Sequence, residues 1–418
     1  MKFLRNVFLV WLWSSAVAVS QTAPAFSPDN PAQAPKTILI APFENLSKAP
    51  GIEWIGESFP EVMGQRLGSD SWQMLRRGER LNAFDRAGVP PGRRPSRATI
   101  FRVAEQLDVD FIVLGSYNFD GRTFTAACQW LDVKRAHLSK EMTESGPLPQ
   151  LIDIQTALAW DLQRLNDPAL STGRDAFIAS ASPIRLDALE NYTRGVLASS
   201  SADKIKYFRE SVRINPSYTE ALLGLGQAYF EAKQYESAAT TLAKVSPTQA
   251  VGGQAQFLLG LCQFYLGQFD KAEAAFTELA ARVPLPEVYN NLGVAQARRG
   301  RPAAADQFQR ANDTDPGDSD YSFNLAVALY RKGDSTGATR ALRETLAANP
   351  EDTEAHSMME ALVAASDPKF AANAQPVKMP LERIKRNYDE DAFRQIAAQL
   401  QRTLAAKLAE KAQRLPKP

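Results

Sequence analysis

Apolar residues recur at helical spacing in paired segments along the second half of the chain. Three of the clearest copies run from Thr219 to Leu242, from Gly253 to Phe276 and from Ser319 to Leu342. Each copy holds an apolar segment of helical period, a short turn, and a second helical segment that opens near an alanine. The copies follow one another at a period of roughly 34 residues. This pattern predicts stacked helix pairs over residues 184–365.

The repeated segments form five to six units whose second helices are followed by a proline in most copies. The units are Leu186–Pro216, Thr219–Val245, Gly253–Pro284, Pro286–Pro316, Ser319–Pro350 and the single helix Asp352–Ala365. This spacing resembles the tetratricopeptide repeat (TPR), whose helix pairs stack into a superhelical solenoid with a concave groove. The resemblance implies an all-α array that binds other chains and carries out no chemistry.

A different pattern precedes the repeats, with short β-branched runs between helical segments. Thr37 to Phe43 predicts a buried strand, and helical spacing of apolar residues covers much of 53–68. A second short helix is expected between Gly78 and Gly88. Ser96 is expected to cap a third helix that reaches Leu107. These elements indicate an α/β region.

The same region continues with a strand at Phe111–Leu114 and a hairpin turn at Asp120-Gly121, because Asp-Gly supplies the positive φ that tight turns need. Thr123–Val133 is the expected returning strand. Leu138–Glu144 is an expected edge strand, and Ile152–Leu165 a closing helix.

Two phrases in this region carry a second resemblance. Residues 40–47 (IAPFENLS) and residues 107–117 (LDVDFIVLGSY) resemble a module of bacterial TolB and FlgO-like proteins. The resemblance spans residues 36–165. It implies an α/β domain of the cell envelope or of regulatory sites, without catalytic residues to carry over.

The amino terminus has the pattern of an export signal over residues 1–20. A basic start precedes the largely apolar run Val7–Val19, and the small residues Ala18 and Ser20 suit cleavage before Gln21. The run is shorter than the about 20 residues that a membrane span needs. No cysteine stands at the cleavage point for lipid attachment. We expect a periplasmic or secreted protein.

Three polar or proline-rich stretches separate the predicted parts: a flexible leader over 21–35 and linkers over 166–183 and 366–380. Residues 381–414 are predicted to form a long helix with one apolar side. Its simplest role is to cap the apolar end of the solenoid. Docking into the groove of the same chain, pairing with a second copy and contact with a membrane are alternatives.

Composition narrows the function. The chain has 418 residues, 23% of them charged, with a formal net charge of +1, which gives no reason to expect nucleic acid or direct membrane attachment. Two histidines and two cysteines leave little material for a metal, a cofactor or a catalytic apparatus. We expect a non-enzymatic protein in which Cys128 and Cys262 are buried thiols.

The TPR resemblance also implies which residues face the groove. Carried onto the matched units, the candidate partner-binding residues are Leu223, Gln227, Phe230, Phe257, Leu261, Phe264, Tyr265, Asn290, Arg298, Phe323, Tyr330 and Arg331. Because most inward positions are apolar, we expect an aromatic floor that holds an extended or helical segment. A clamp for a partner's terminal carboxylate is not expected. Phe257 and Phe264 fit the core between helices as well as the groove.

These patterns predict a non-catalytic exported scaffold that binds protein partners through the groove, in a cell-envelope assembly. The alternative is a sensor whose α/β domain binds a small molecule or an envelope component and signals through the repeats.

Overall fold

A computed structural model describes residues 36–68, 72–90, 95–168, 170–181, 183–366 and 379–390. The predicted signal peptide and leader lie outside these residues, as do 367–378 of the second linker and 391–414 of the predicted terminal helix. The described chain forms a small α/β region followed by a helical solenoid.

The α/β region is built on one mixed sheet. Its strands are β1 (Lys36–Ile40), β2 (Glu44–Asn45), β3 (Trp72–Met74), β4 (Phe111–Phe119), β5 (Phe124–Asp132), β6 (His137–Leu138) and β7 (Met142–Gly146). β1 lies between β3 and β4 and is parallel to both, while β4 and β5 form an antiparallel hairpin that β6 and β7 extend. β3 was not predicted, and the expected edge strand Leu138–Glu144 is two short strands.

Helices cover both faces of this sheet. They are α1 (Ile55–Leu67), α2 (Arg77–Arg86), α3 (Arg97–Gln106), α4 (Leu151–Asn166) and α5 (Arg174–Ala179). Alternate residues of β1 point to opposite faces, so Ile38 packs with α1 and α4 whereas Leu39 packs with α2 and α3. The predicted helices are confirmed, and the Ser96 hydroxyl accepts from the Thr99 N–H at 3.1 Å as the expected cap.

Helix α1 contains Pro60 within its span rather than starting there. A proline has no N–H, so the carbonyl of Gly56 has no helical donor. The N–H of Phe43 donates to that carbonyl at 3.0 Å and attaches the strand end to the helix.

The linker predicted over 166–183 is wrong as a description of this stretch. It contains α5, whose Phe177 is buried. The guanidinium carbon of Arg66 lies 4.3 Å from the centre of the Phe177 ring. The apolar cluster of the α/β region also continues into the first repeats, and Tyr192 donates to Glu61 at 3.0 Å. The α/β region therefore packs directly against the amino-terminal end of the solenoid.

The solenoid has the predicted helix pairs. They are unit 1, α6 (Leu186–Leu197) and α7 (Ser201–Ile214); unit 2, α8 (Thr219–Glu231) and α9 (Tyr235–Leu242); unit 3, α10 (Gly252–Tyr265) and α11 (Phe269–Arg282); unit 4, α12 (Pro286–Arg298) and α13 (Ala304–Thr314); unit 5, α14 (Ser319–Arg331) and α15 (Ser335–Ala348); and α16 (Thr353–Ser366), the first helix of unit 6. Small residues allow the close packing: a Cβ on Gly226 would lie 2.5 Å from Leu242.

The helix predicted from Leu381 is wrong at its beginning. Residues 381–389 have no helical structure and lie along the solenoid as an extended chain. Residues 379–390 are called the C-terminal segment below.

Candidate functional site

The first helices of units 2 to 6 share one face, here called the groove, and the C-terminal segment lies along it. The segment begins near α14 and α16 and reaches α10 at its end, so it runs against the order of the units. Of the sequence alternatives for the carboxyl-terminal region, docking into the chain's own groove describes this segment.

The side-chain amides of three asparagines hold the backbone of the segment. Asn290 Nδ2 donates to the Arg383 carbonyl at 2.9 Å, and the other two asparagines each form a pair of bonds. The Arg383 N–H donates to Asn324 Oδ1 and the Arg383 carbonyl accepts from Asn324 Nδ2, both at 2.7 Å. Asn291 forms the same pair of bonds with the N–H and carbonyl of Lys385, both at 2.8 Å. The amides of Asn324 and Asn291 thus each satisfy a donor and an acceptor of one residue, as a neighbouring strand does.

An acidic pocket surrounds the Arg383 side chain. Its guanidinium forms two hydrogen bonds with the Asp352 carboxylate, at 2.6 and 2.8 Å, and lies 3.0 Å from Glu354 and 3.2 Å from Asp320. It also stacks on the Phe323 ring at 3.6 Å. Burial alone lowers the pKa of Arg383, but the hydrogen bonds to Asp352 and Glu354 raise it overall. The same hydrogen bond lowers the pKa of Asp352.

A second acidic pocket holds Lys385. Its Nζ lies 2.7 Å from Asp318 and 2.6 Å from Asp320, and 5.1 Å from the centre of the Tyr321 ring. Burial alone lowers the pKa of Lys385, whereas the hydrogen bonds to Asp318 and Asp320 raise it overall. Asp320 therefore lies between two cations that are two residues apart in the segment.

A basic pocket holds the residue before Arg383. The side chain of Glu382 is 1% exposed, pairs with Arg331 and lies 3.6 Å from Arg298. The groove thus presents positive charge to position 382 and negative charge to positions 383 and 385.

Apolar contacts also hold the C-terminal segment in the groove. The Tyr388 ring stacks on Phe257 with centroids 4.9 Å apart, and Phe257 in turn meets Phe276 of the core at 5.8 Å. Gly253 leaves room for Tyr388, since a Cβ there would lie 2.5 Å from its hydroxyl. Ile384 packs against the apolar clusters of both halves of the solenoid.

Two further contacts lie farther along the segment. The Arg386 guanidinium lies 5.4 Å from the centre of the Phe230 ring. The N–H of Asp389 donates to the Glu287 carboxylate at 2.9 Å, and burial raises the pKa of Glu287.

Half of the residues predicted for the groove contact the segment directly. They are Phe230, Phe257, Asn290, Arg298, Phe323 and Arg331. Leu223 and Leu261 lie in the apolar cluster against which Ile384 and Tyr388 pack, and Phe264 packs against the same cluster. Tyr330 packs against the cluster of units 4 to 6.

The remaining two predicted residues make other contacts. Tyr265 stacks on Tyr235 at 4.9 Å, and Gln227 donates to Glu231 at 3.3 Å. Phe257 belongs to the core and to the groove at once, because its ring contacts both Phe276 and Tyr388. Phe264 is half-buried, with the Arg298 guanidinium 5.8 Å from its ring centre.

Three of the predicted aromatic residues, Phe230, Phe257 and Phe323, lie against side chains of the segment, while amides and carboxylates make most of its polar contacts. Asn291, Asn324, Asp318 and Asp352 were not among the predicted residues. The sequence does contain an indication of Asn291 and Asn324. Both lie at equivalent positions within the largely apolar first helices of units 4 and 5, where asparagine is unfavourable without a partner.

The α/β region contains a separate cavity of about 300 Å³. It is lined by Pro42 and Glu44 beyond the end of β1, by Gly115 of β4, and by Ser96 and Arg97 at the start of α3. This is where parallel strands end and the chain crosses to the other face of the sheet, the usual position of a ligand in open α/β sheets.

Among the described residues, no group of three or more His, Cys, Asp or Glu side chains is arranged to hold a metal ion. Cys128 and Cys262 are buried and free, and burial raises the pKa of each thiol to about 12. None of the described helices has the length and apolar character that a bilayer crossing requires.

Family models described as tetratricopeptide repeat match residues 202–256, 257–319 and 301–362. No curated protein matches the chain.

Several solved structures are similar to part of this chain. YrrB, described as a TPR protein with an unusual peptide-binding site, shares 21% identity over 41% of this chain and 90% of that chain, with a TM-score of 0.38. MamA from Desulfovibrio magneticus RS-1 shares 20% sequence identity over 41% of this chain and 99% of that chain, with a TM-score of 0.38. PilF from Pseudomonas aeruginosa shares 15% identity over 45% of this chain and 88% of that chain, with a TM-score of 0.37.

Proposed function

We propose that this chain, whose residues 202–362 are tetratricopeptide repeats, is a non-catalytic exported scaffold that binds a protein or peptide partner through the groove. Stacked repeats of this kind present extended concave surfaces for binding. The observation that carries the proposal is the paired amide contact of Asn291 and Asn324 with the backbone of an extended segment.

Binding of this kind suits a scaffold. Contacts to N–H and carbonyl groups contribute affinity for any extended peptide, and side-chain pockets at alternate positions then select the sequence. The charged pockets around positions 382, 383 and 385 supply such selection in this groove.

The place of action is a cell-envelope assembly, with the protein in the periplasm or secreted. The export pattern of residues 1–20 supports this part of the proposal. The resemblance of residues 36–165 to TolB and FlgO-like modules agrees with it. A fusion of residues 1–35 to alkaline phosphatase, which is active only after export, tests this part. An inactive fusion that stays in the cytoplasm contradicts export.

Partner capture tests the binding role. The full chain is immobilised and exposed to an envelope extract, beside an Asn291→Ala/Asn324→Ala variant and an Asn191→Ala control. Asn191 lies on α6, away from the segment, and donates to the carbonyl of Asp187. We expect the native chain and the control to retain the same partner and the groove variant to lose it. Equal retention by all three removes the groove from the function.

A second candidate function is ligand sensing by the α/β region, and the cavity beside Ser96 and Arg97 favours it. A small molecule that binds there raises the melting temperature by mass action. Arg97→Ala is expected to abolish that rise, whereas the exposed Arg86→Ala is not. If no compound in an anionic metabolite panel changes the melting temperature, this candidate has no support.

A further inference from the structure

We propose that the C-terminal segment is the chain's own competing ligand, and that the partner carries the same pattern: a carboxylate, then basic, apolar and basic residues, then an aromatic residue three positions later. In this chain the pattern is Glu382, Arg383, Ile384, Lys385 and Tyr388. The inference rests on the proposed function, because it names the partner and the regulation of the same groove.

The order of charges fixes the register of the bound peptide. Glu382 pairs with Arg298 and Arg331, and the next residue, Arg383, enters the acidic pocket of Asp352. A slip of one residue would place Glu382 against the carboxylates in one direction, or Arg383 against the arginines in the other. Such like-charge contacts across an interface are strongly unfavourable. The groove therefore selects this order of charges.

The backbone contacts fix the conformation. Asn324 and Asn291 bind residues 383 and 385, and alternate residues of an extended chain present their backbone groups in the same way. A helical peptide has its N–H and carbonyl groups already paired, so it cannot make these bonds. The partner segment is extended over at least these three residues.

Covalent attachment makes the segment an effective competitor. It is joined to α16 through residues 367–378, and a tethered ligand has an effective concentration on the order of 1 mM. A separate peptide at micromolar concentration must displace it. Its apparent affinity falls by the fraction of grooves that are open. The scaffold is thus closed at rest and opens to a partner that binds more tightly.

Fluorescence anisotropy with a labelled synthetic peptide of residues 379–390 tests this inference on the full chain. An Arg383→Glu/Lys385→Glu release variant repels its own segment from Asp320 and Asp352 and leaves the groove intact. We expect this variant to bind the peptide about 10–100-fold more tightly than the native chain. The matched control, Arg209→Glu/Arg213→Glu on α7, has the same charge change and is expected to bind like the native chain.

Two further measurements test the charge pattern of the peptide and its binding site in the groove. A peptide with the same two charge reversals is expected not to bind the release variant. Asn324→Ala in the release background is expected to lose the native peptide. A chain ending at residue 378 gives a second open groove if the release variant does not fold. Equal peptide affinity of the native and open chains overturns the inference, and so does equal binding of both peptides.

Partner capture separates this inference from the proposed function. If the release variant gains peptide affinity but captures no envelope protein, the self-ligand stands and the scaffold role fails. If the native and release chains bind peptide equally and both capture a partner through Asn291 and Asn324, the scaffold role stands and the self-ligand fails. A dimer that the charge reversal abolishes assigns the segment to a second copy and overturns the intrachain form.

Discussion

The Nδ2 group of Asn324 donates a hydrogen bond to Oδ1 of Asn290 at 2.7 Å, although the two residues belong to different repeat units. Its second proton bonds the Arg383 carbonyl, and its oxygen accepts the Arg383 N–H. Asn290 also donates to Asn291 at 3.2 Å, so the three side chains form one connected network. The network orients the amides before any peptide arrives, which reduces the ordering cost of binding.

Replacement of Asn324 by alanine is expected to open the groove. The substitution removes two hydrogen bonds to the segment backbone, each with a net contribution of about 1 kcal/mol. The ratio of docked to undocked chains is therefore expected to fall about 10–30-fold. Trypsin cleavage after Arg383 and Lys385, followed by mass spectrometry, measures this change. The Asn191→Ala control is expected to cut at the native rate. Native cleavage rates in Asn324→Ala contradict the role of the amide.

A double-mutant cycle between Asp352 and Arg383 isolates the main ion pair. Asp352 also accepts the Ala355 N–H at 3.0 Å as a helix cap, and the cycle cancels that contribution. We expect a coupling free energy of about 1.5–3 kcal/mol for segment docking, because the hydrogen bonds are between charged groups. The readout is the rate of trypsin cleavage after Arg386. A coupling near zero shows that the two residues do not interact in solution.

Docking is expected to weaken in acid. The Arg383 hydrogen bond lowers the pKa of Asp352. This carboxylate therefore stabilises the docked state fully at pH values above its ordinary pKa of about 4. The contribution disappears as the pH falls through the lowered value. Glu287 acts in the opposite sense, because burial raises its pKa and protonation relieves that cost. The Asp352 effect is measured as the affinity of the free peptide of residues 379–390 for the release variant that also carries Glu287→Gln, from pH 3 to pH 7. Adding Asp352→Asn to this protein is expected to flatten the pH profile.

Stability of the α/β region depends on the space at Gly115. A Cβ there would overlap the buried Phe43 ring, which stacks on Phe59 with centroids 3.8 Å apart. Gly115→Ala is therefore expected to lower the free energy of unfolding by about 1–3 kcal/mol. The control Gly78→Ala has open space around it in α2 and is expected to be neutral or stabilising. Urea denaturation measures both, and equal midpoints contradict the packing at Phe43.

The two cysteines are expected to remain unreactive in the folded protein. Burial raises the pKa of Cys128 and Cys262 to about 12, so little thiolate exists at pH 8. Ellman's reagent is expected to detect no thiol in native protein and both after denaturation in guanidinium. Rapid reaction of either cysteine in the native state means that its side chain is accessible.

Helix periodicity was sufficient to predict the solenoid, because each unit repeats the same apolar pattern and buries it against its neighbours. Strand β3 escaped prediction since Trp72–Met74 is too short to show a period. Helix α5 did so because its apolar residues lie in a polar stretch, and only Phe177 is buried there.

The groove shows a different limit. Residues 381–389 have the apolar spacing of a helix, but the partners of Arg383 and Lys385 are carboxylates on α14 and α16 that sequence spacing alone does not bring together. Contacts between distant segments decided the conformation of this stretch over its local preference.

Amide hydrogen exchange of residues 379–390 in the full chain is the most direct measurement. If the segment lies in the groove, the amides of Arg383 and Lys385 are bonded to Asn324 and Asn291 and exchange slowly. Addition of the free peptide of residues 379–390 at millimolar concentration is then expected to remove this protection. Exchange of both amides at the rate of an unstructured peptide, with or without the competitor, would contradict the docked segment.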